Sequence, residues 1–344
     1  MASATPNVTD PTFRSYSSEQ AKAYASHRKT YDPAVYKTIS DFHAANGGQF
    51  GLVVDCGCGP GNATRDLALM FEHALGTDAG AAMIDAAREK GGKTKSGADI
   101  SFEVVPAESF SQAGGLEPES VDVLTVASMD FLYLFSSITI SSRCCSYSKL
   151  AVSIETYLFS LLLLISKVHW FDLNKFYAEA AKVLKPGGTM ALWTIASDPD
   201  QPNAAKLRET MLRFKHVVIG KYQMPGNLLA QGMYDNLPLP WTVSPPVPSF
   251  SKSDYVKHDY DRDGILSNGK TFFSGGKARK LADIEQALAT ASVVTRWREA
   301  HPDLVGTEQD CVKVFVKDLR EALGGKDEVF SGGATTILLF KKSA

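Results

Sequence analysis

Gly51-Leu-Val-Val-Asp-Cys-Gly-Cys-Gly-Pro-Gly61 is the stretch on which the reading of this chain turns. A short apolar run enters three glycines at alternate positions, and residues 62–71 then carry Leu67, Met70 and Phe71 at helical spacing. That order reads as strand, loop and helix. Glycines at a strand end let the backbone approach a ligand and turn into a helix N-terminus, whose free N–H groups favour negative or polar groups. A dinucleotide loop has the spacing G-x-G-x-x-G, which seats a pyrophosphate. Here the third glycine comes one residue early, Pro60 stiffens the turn, and Asp55 stands two residues before Gly57. An acid there repels a pyrophosphate and suits a ligand with a cationic end, such as the amino group of a methionine moiety. The competing reading makes Asp55 a strand-end cap over a tight turn, though so many glycines are costly in backbone entropy.

Working outward, residues 73–77 form a second short strand ending in Asp78, and 81–89 read as a helix. Asp78 is placed to accept both hydroxyls of an adenosine ribose, or else to cap the helix after it. Strands follow at 100–105 and 121–127, a helix at 173–184, a turn at Lys185-Pro-Gly-Gly188 and a fifth strand at 189–195. Glu108, in the loop after the third strand, is either an adenine-edge acid or an exposed loop acid. Alternating strands and helices with short connections predict a doubly wound parallel sheet. Past Asp198 an amphipathic helix is expected over 203–218 and an irregular cap over 223–275. Then come a helix at 279–290, a strand at 293–297, a helix at 308–323 and a final strand at 335–340.

Composition narrows the function. With 36 Lys+Arg against 38 Asp+Glu, no basic field argues for nucleic-acid binding. Five cysteines make no disulfide framework, and Cys56-x-Cys58 lacks the second ligand pair of a structural zinc site, so no metal is expected. The first twenty residues hold no signal-peptide core, and the apolar run 157–165 falls short of the ~20 residues that span a bilayer. A cytoplasmic globular enzyme without a membrane partner is the expectation. Oligomeric state is not legible.

Asp55-Cys-Gly-Cys-Gly-Pro-Gly61, Asp78, Ala107-Glu108, the strand VDVLTVA and Lys185-Pro-Gly-Gly188 together resemble the class I S-adenosylmethionine-dependent methyltransferases. Phe13-x-x-Tyr16-x-x-Glu19, Tyr24, Arg28, Tyr31, His169-Trp-Phe-Asp172 and His301-Pro-Asp303 are similar to the trans-aconitate and fungal cantharidin-resistance methyltransferase group. The resemblance covers about residues 10–342 with one gap. It implies an α/β fold of Rossmann-like type, with a seven-stranded sheet whose last strand is antiparallel and a small irregular cap. It also implies S-adenosylmethionine as cofactor, with Asp55, Gly57, Gly59 and Gly61 by the methionine part, Asp78 and Ala79 at the ribose, and Ala107 and Glu108 near the adenine. Function is expected to be methyl transfer to a small molecule, on a carboxylate or hydroxyl oxygen. Two alternatives are a cofactor-binding protein inactivated by its insertion and a nicotinamide-dependent oxidoreductase.

A carboxylate acceptor is already a nucleophile, whereas a hydroxyl usually needs a base. His169 is the candidate base, against a plain packing role beside Trp170 and Phe171. Arg28 is placed for a carboxylate or for solvent. Tyr24, Tyr31 and Trp170 are lid or substrate candidates, and Trp241, Tyr255 and Tyr260 are acceptor candidates by location alone. Residues 129–166 do not belong: Ser and Leu dominate, Gly and Pro are absent, and no periodicity persists. A long apolar loop inside a compact domain breaks several local rules at once; a translated intron is the leading reading, against a hydrophobic lid over the acceptor site or a membrane-touching loop. One domain over 1–344 is therefore expected: lid helices at 10–48, core at 49–128 and 167–198, cap at 199–278, and the rest of the core at 279–344.

Overall fold

The computed structural model describes Ser17, Glu19 and residues 31–129, 171–199, 204–262 and 265–343. Its strands are β1 (Leu52–Cys56), β2 (His73–Asp78), β3 (Ser101–Val104), β4 (Val121–Met129), β5 (Leu184–Pro199), β6 (Phe250–Tyr260), β7 (Lys277–Lys280) and β8 (Glu328–Lys342). Its longer helices are α1 (Pro33–Ala45), α2 (Asn62–Ala68), α3 (Ala81–Lys90), α4 (Leu173–Val183), α5 (Ala204–Arg213), α6 (Pro225–Gln231), α7 (Leu281–Ala289), α8 (Ser292–Ala300) and α9 (Cys311–Ala322).

Seven strands lie in the order β3-β2-β1-β4-β5-β8-β6, and β8 alone runs against the others. The expected sheet with its last strand antiparallel is therefore present, with short β7 as an eighth strand beside the start of β8. Strand order reverses between β1 and β4, and ligands of open α/β sheets bind outside the carboxyl ends of the strands at such a switch point. Both faces of the sheet are covered, which is why β1 and β4 are mostly apolar on either face, with Asp55, Asp122 and Thr125 as buried exceptions. Val53, Val123, Ala191 and Trp193 face one core with residues of α1–α3. Val54, Leu124, Leu192 and Leu338 face another, with α4 and parts of 230–250. A third core joins α5, α7, α8 and α9.

Local signals account for the helix starts. Asp32 and Asp310 each accept from a backbone N–H of the helix that follows, at 3.1 and 2.9 Å, and Pro33 opens α1. Three expectations are corrected. Residues 293–297 are not a strand: the β-branched pair Val293-Val294 and Trp297 form the buried side of α8. The stretch 223–275 is not wholly irregular, since it holds α6 and the eleven-residue strand β6, which occupies the sheet's edge. The turn Lys185-Pro-Gly-Gly188 lies inside β5, where the register against β4 slips between Val121 and Val123. Gly187 takes φ +78° there, and a Cβ on Gly188 would meet the Lys185 carbonyl at 2.9 Å.

Tyr24, Arg28, His169 and Trp170 lie outside the described residues, as does nearly all of 129–166. No helix among the described residues is long and apolar enough to cross a membrane.

Candidate functional site

β1 ends at Cys56, and the chain then turns through Gly57, Gly59 and Gly61 at φ +71°, +55° and +75°. These are left-handed conformations that glycine adopts at little cost. Two backbone bonds shape the loop, from Cys58 N–H to Thr77 O at 2.9 Å and from Gly61 N–H to Cys58 O at 3.0 Å. The glycines serve different ends. A Cβ on Gly61 would meet the Phe102 ring at 2.6 Å, so this residue is glycine for packing. A Cβ on Gly59 would meet nothing within 4 Å, so this residue faces open space.

Asp78, at the end of β2, joins two loops. One carboxylate oxygen accepts from Gly59 N–H at 2.9 Å and the other from Gly80 N–H at 2.8 Å. Ala79 lies between these contacts and is half-buried. Arg65 braces the same loop from α2, donating to Pro60 O at 2.5 Å, to Asn62 Oδ1 at 3.0 Å and to Gly91 O at 3.3 Å.

Asp55, near the end of β1, is held by two threonines. Its carboxylate is fully buried and accepts from Thr64 Oγ1 at 2.6 Å and Thr125 Oγ1 at 3.0 Å. Burial pushes its pKa up to about 6; the two hydroxyl bonds pull the other way, and the nearby Asp78 charge adds to the rise. Asp55 thus sits behind the loop, tying β1 to the first turn of α2 and to β4. Cys56 and Cys58 are free, buried thiols whose pKa values burial raises well above the ordinary. They fill space beneath the loop, and no cluster of three or more metal-ligating side chains occurs among the described residues.

Ala107 is buried and Glu108 half-buried, at the start of the short helix Ala107–Gln112. Glu108 Oε1 accepts from Asp172 N–H at 3.1 Å, while buried Oε2 has no partner among the described residues. A buried carboxylate oxygen left this way is poised for a donor from outside the chain. Tyr31 packs edge-on against Trp193 of β5 with centroids 5.3 Å apart. Trp241 and Tyr255 pack with Phe340 in the core of the opposite face, and Tyr260 stacks on Phe273 at 3.6 Å.

The structure therefore gathers Gly57, Gly59, Gly61, Asp78 and Ala79 at the carboxyl ends of β1 and β2, with Ala107 and Glu108 in the turn after β3. Thr64, Thr125 and Arg65 were missed from sequence. A threonine in the apolar middle of the strand, Val123-Leu-Thr-Val-Ala127, is the available signal for Thr125.

Comparison with known proteins follows from this geometry. Residues 51–235 match a family described as a methyltransferase domain. Methyltransferase cfoB of Aspergillus candidus is 34% identical over 125 residues, which cover 36% of this chain and 38% of that protein. The probable S-adenosylmethionine-dependent methyltransferase CRG1 of Saccharomyces cerevisiae is 21% identical over 303 residues, 87% of this chain and 86% of that one. Among solved structures, a protein provisionally classed as a type II methyltransferase from Anaeromyxobacter dehalogenans superposes with a TM-score of 0.52 at 20% identity. That match covers 92% of this chain and 97% of that one, and it speaks to the fold alone.

Proposed function

The chain belongs to the methyltransferase-domain family and is an S-adenosylmethionine-dependent methyltransferase, and from that premise we propose that it methylates a small molecule on a carboxylate or hydroxyl oxygen, in the cytoplasm. The observation that carries the site assignment is Gly59: left-handed, open where a Cβ would stand, and held by Asp78. The residues fit the cofactor. Asp78 and Ala79 would hold the ribose, as they stand at the end of β2 against the glycine loop. Ala107 and the unpartnered Glu108 Oε2 would take the adenine edge. Gly57, Gly59 and Gly61 would let the backbone lie against the methionine part, with Asp55 fixing the loop from behind through Thr64 and Thr125.

When bound, the cofactor supplies an electrophilic methyl group on a sulfonium. The protein's own task is to position the acceptor oxygen and keep water out. His169, with Tyr24, Arg28, Tyr31 and Trp170, forms the candidate acceptor-side set on sequence grounds. Residues 129–166 read as a translated intron within one domain, and a dominant spliced message that keeps those codons would sink that reading.

The test of function is calorimetry followed by turnover. S-adenosylhomocysteine should bind and NAD should not. Labelled cofactor should then deliver methyl to at least one acceptor among di- and tricarboxylates and phenols. Binding without transfer to any of them would reject the acceptor class proposed here.

A further inference from the structure

The geometry points to an acceptor subsite built on the indole of Trp193, which takes a planar molecule through a neutral carbonyl oxygen. This inference rests on the methyltransferase reading above and selects within it the hydroxyl acceptors that also carry an aryl ketone or similar conjugated carbonyl.

Register places Trp193 beside the glycine loop. Asp55 of β1 pairs Thr125 of β4, and Thr125 pairs Ala191 of β5. All three lie at positions sharing the face that Val53, Val123 and Ala191 present to α1–α3. Two residues further along, Ala127 pairs Trp193 on that same face, and Trp193 pairs Ile337 of β8. Because β1 has ended at Cys56, Trp193 and Ala127 are level with Gly57. Two strand spacings separate Trp193 from the loop, about 10 Å. That span suits the second reactant of a transfer whose first lies against the loop.

Trp193 itself carries the chemical argument. The side chain is fully buried, yet its Nε1–H has no hydrogen-bond partner among the described residues. Indole N–H groups usually find a partner when buried. Tyr31 and Tyr36 stand edge-on to the indole, at 5.3 and 6.3 Å between centroids, and edge-on to each other at 6.4 Å. Tyr36 donates to Asp66 of α2 at 2.9 Å, which holds its ring in place, and half-buried Tyr31 forms the outer wall. Ring faces and edges select a flat apolar body. The indole offers one donor and no acceptor, so it calls for an oxygen that accepts. Among the described residues no cation stands in these walls, so against them a carboxylate would leave a full charge in an apolar setting, whereas a ketone oxygen would not.

The experiment uses full-length protein labelled with 15N at the indoles. The chain has four tryptophans, and W170F, W193F, W241F and W297F assign the four Nε1–H peaks. With S-adenosylhomocysteine present, acetophenone should move the Trp193 peak to saturation. Benzoate, its charged counterpart, should need at least tenfold more. W193F keeps an aromatic ring but loses the donor, and it should bind acetophenone at least tenfold more weakly; W241F, on the opposite face, should bind as wild type. In turnover, 4-hydroxyacetophenone should outrun 4-hydroxybenzoate in kcat/KM, with a loss in W193F confined to acceptor KM. A Trp193 peak that stays put in the wild-type titration overturns the subsite even if W193F does not fold. Benzoate binding as well as acetophenone overturns the carbonyl preference. Failure of S-adenosylhomocysteine to bind is a separate result that overturns the methyltransferase reading and not the peak assignment.

Discussion

Replacing Asp55 by Asn should stabilise the protein at alkaline pH, by an amount that shrinks on acidification. Asp55 is wholly buried, and its pKa rises from 3.8 to about 6, chiefly through desolvation. A raised pKa means the folded state resists ionisation. The stabilising effect of the protonated form is complete below 3.8 and is lost as pH climbs to about 6. At pH 8 the ionised group therefore costs about 3 kcal/mol relative to the unfolded chain, at 1.36 kcal/mol per pH unit. Asn escapes that cost. Its oxygen can accept from one of Thr64 and Thr125, and its amide can donate to the other once that hydroxyl rotates. Imperfect rearrangement offsets part of the gain, leaving about 1–2 kcal/mol net, or about 2–4 °C in Tm for a chain of this size. The cleaner number is the difference between conditions, because hydrogen-bond geometry cancels from it. From pH 8 to pH 5 the advantage of Asn should fall by about 1.4 kcal/mol, the equivalent of the single pH unit below 6. Urea unfolding of both proteins, followed by circular dichroism at pH 5, 6.5 and 8, measures it. An advantage that does not change with pH, or a loss at every pH, refutes the claim that ionised Asp55 is a burden carried by the fold.

The loop glycines should separate by phenotype. Gly59→Ala should cost only about 1 kcal/mol of stability yet weaken S-adenosylhomocysteine binding in calorimetry, while Gly61→Ala should cost about 2–3 kcal/mol from the Phe102 overlap, read by urea unfolding. Asp310→Ala removes the α9 cap and leaves the Arg298 guanidinium, bonded at 2.8 Å, without its partner; about 3 kcal/mol should be lost. His43 is buried between Thr189 Oγ1 and Gln49 O, and desolvation lowers its pKa. Its contribution is therefore present above 6.5 and lost as pH falls through the lower folded value, so His43→Gln should flatten the acid limb of the stability profile.

The half of the fold with repeating β-loop-α rhythm is legible because its central strands β1 and β4 are largely apolar on both faces and each turn carries its own chemistry. Gly51–Gly61 and Asp78 announced themselves in that way. β6 did not, for it lies at the sheet's edge with charged residues Lys252, Asp254, Lys257 and Asp259, and only pairing with β8 makes it a strand. Val293-Val294 misled in the opposite sense: β-branched residues favour strands, but burial against α7 and α9 in one core overrides that preference. At the site, residue types were readable and their direction was not. Nothing local reveals that Asp55 turns to Thr64 and Thr125, because Thr125 comes from a strand 70 positions away.

Synthesis runs from N- to C-terminus, and β8 is made after the other seven strands of this sheet although it lies between β5 and β6. Until it emerges from the ribosome, β5 presents an open edge of Thr189–Pro199, eleven register positions long, and β6 has no neighbour. An unpaired edge of that length is a template for pairing with another chain. The nascent protein therefore holds its parallel half-sheet exposed while some 130 further residues are added after β5. A holdase that shields that edge should raise the folded yield more than one that acts on the finished chain.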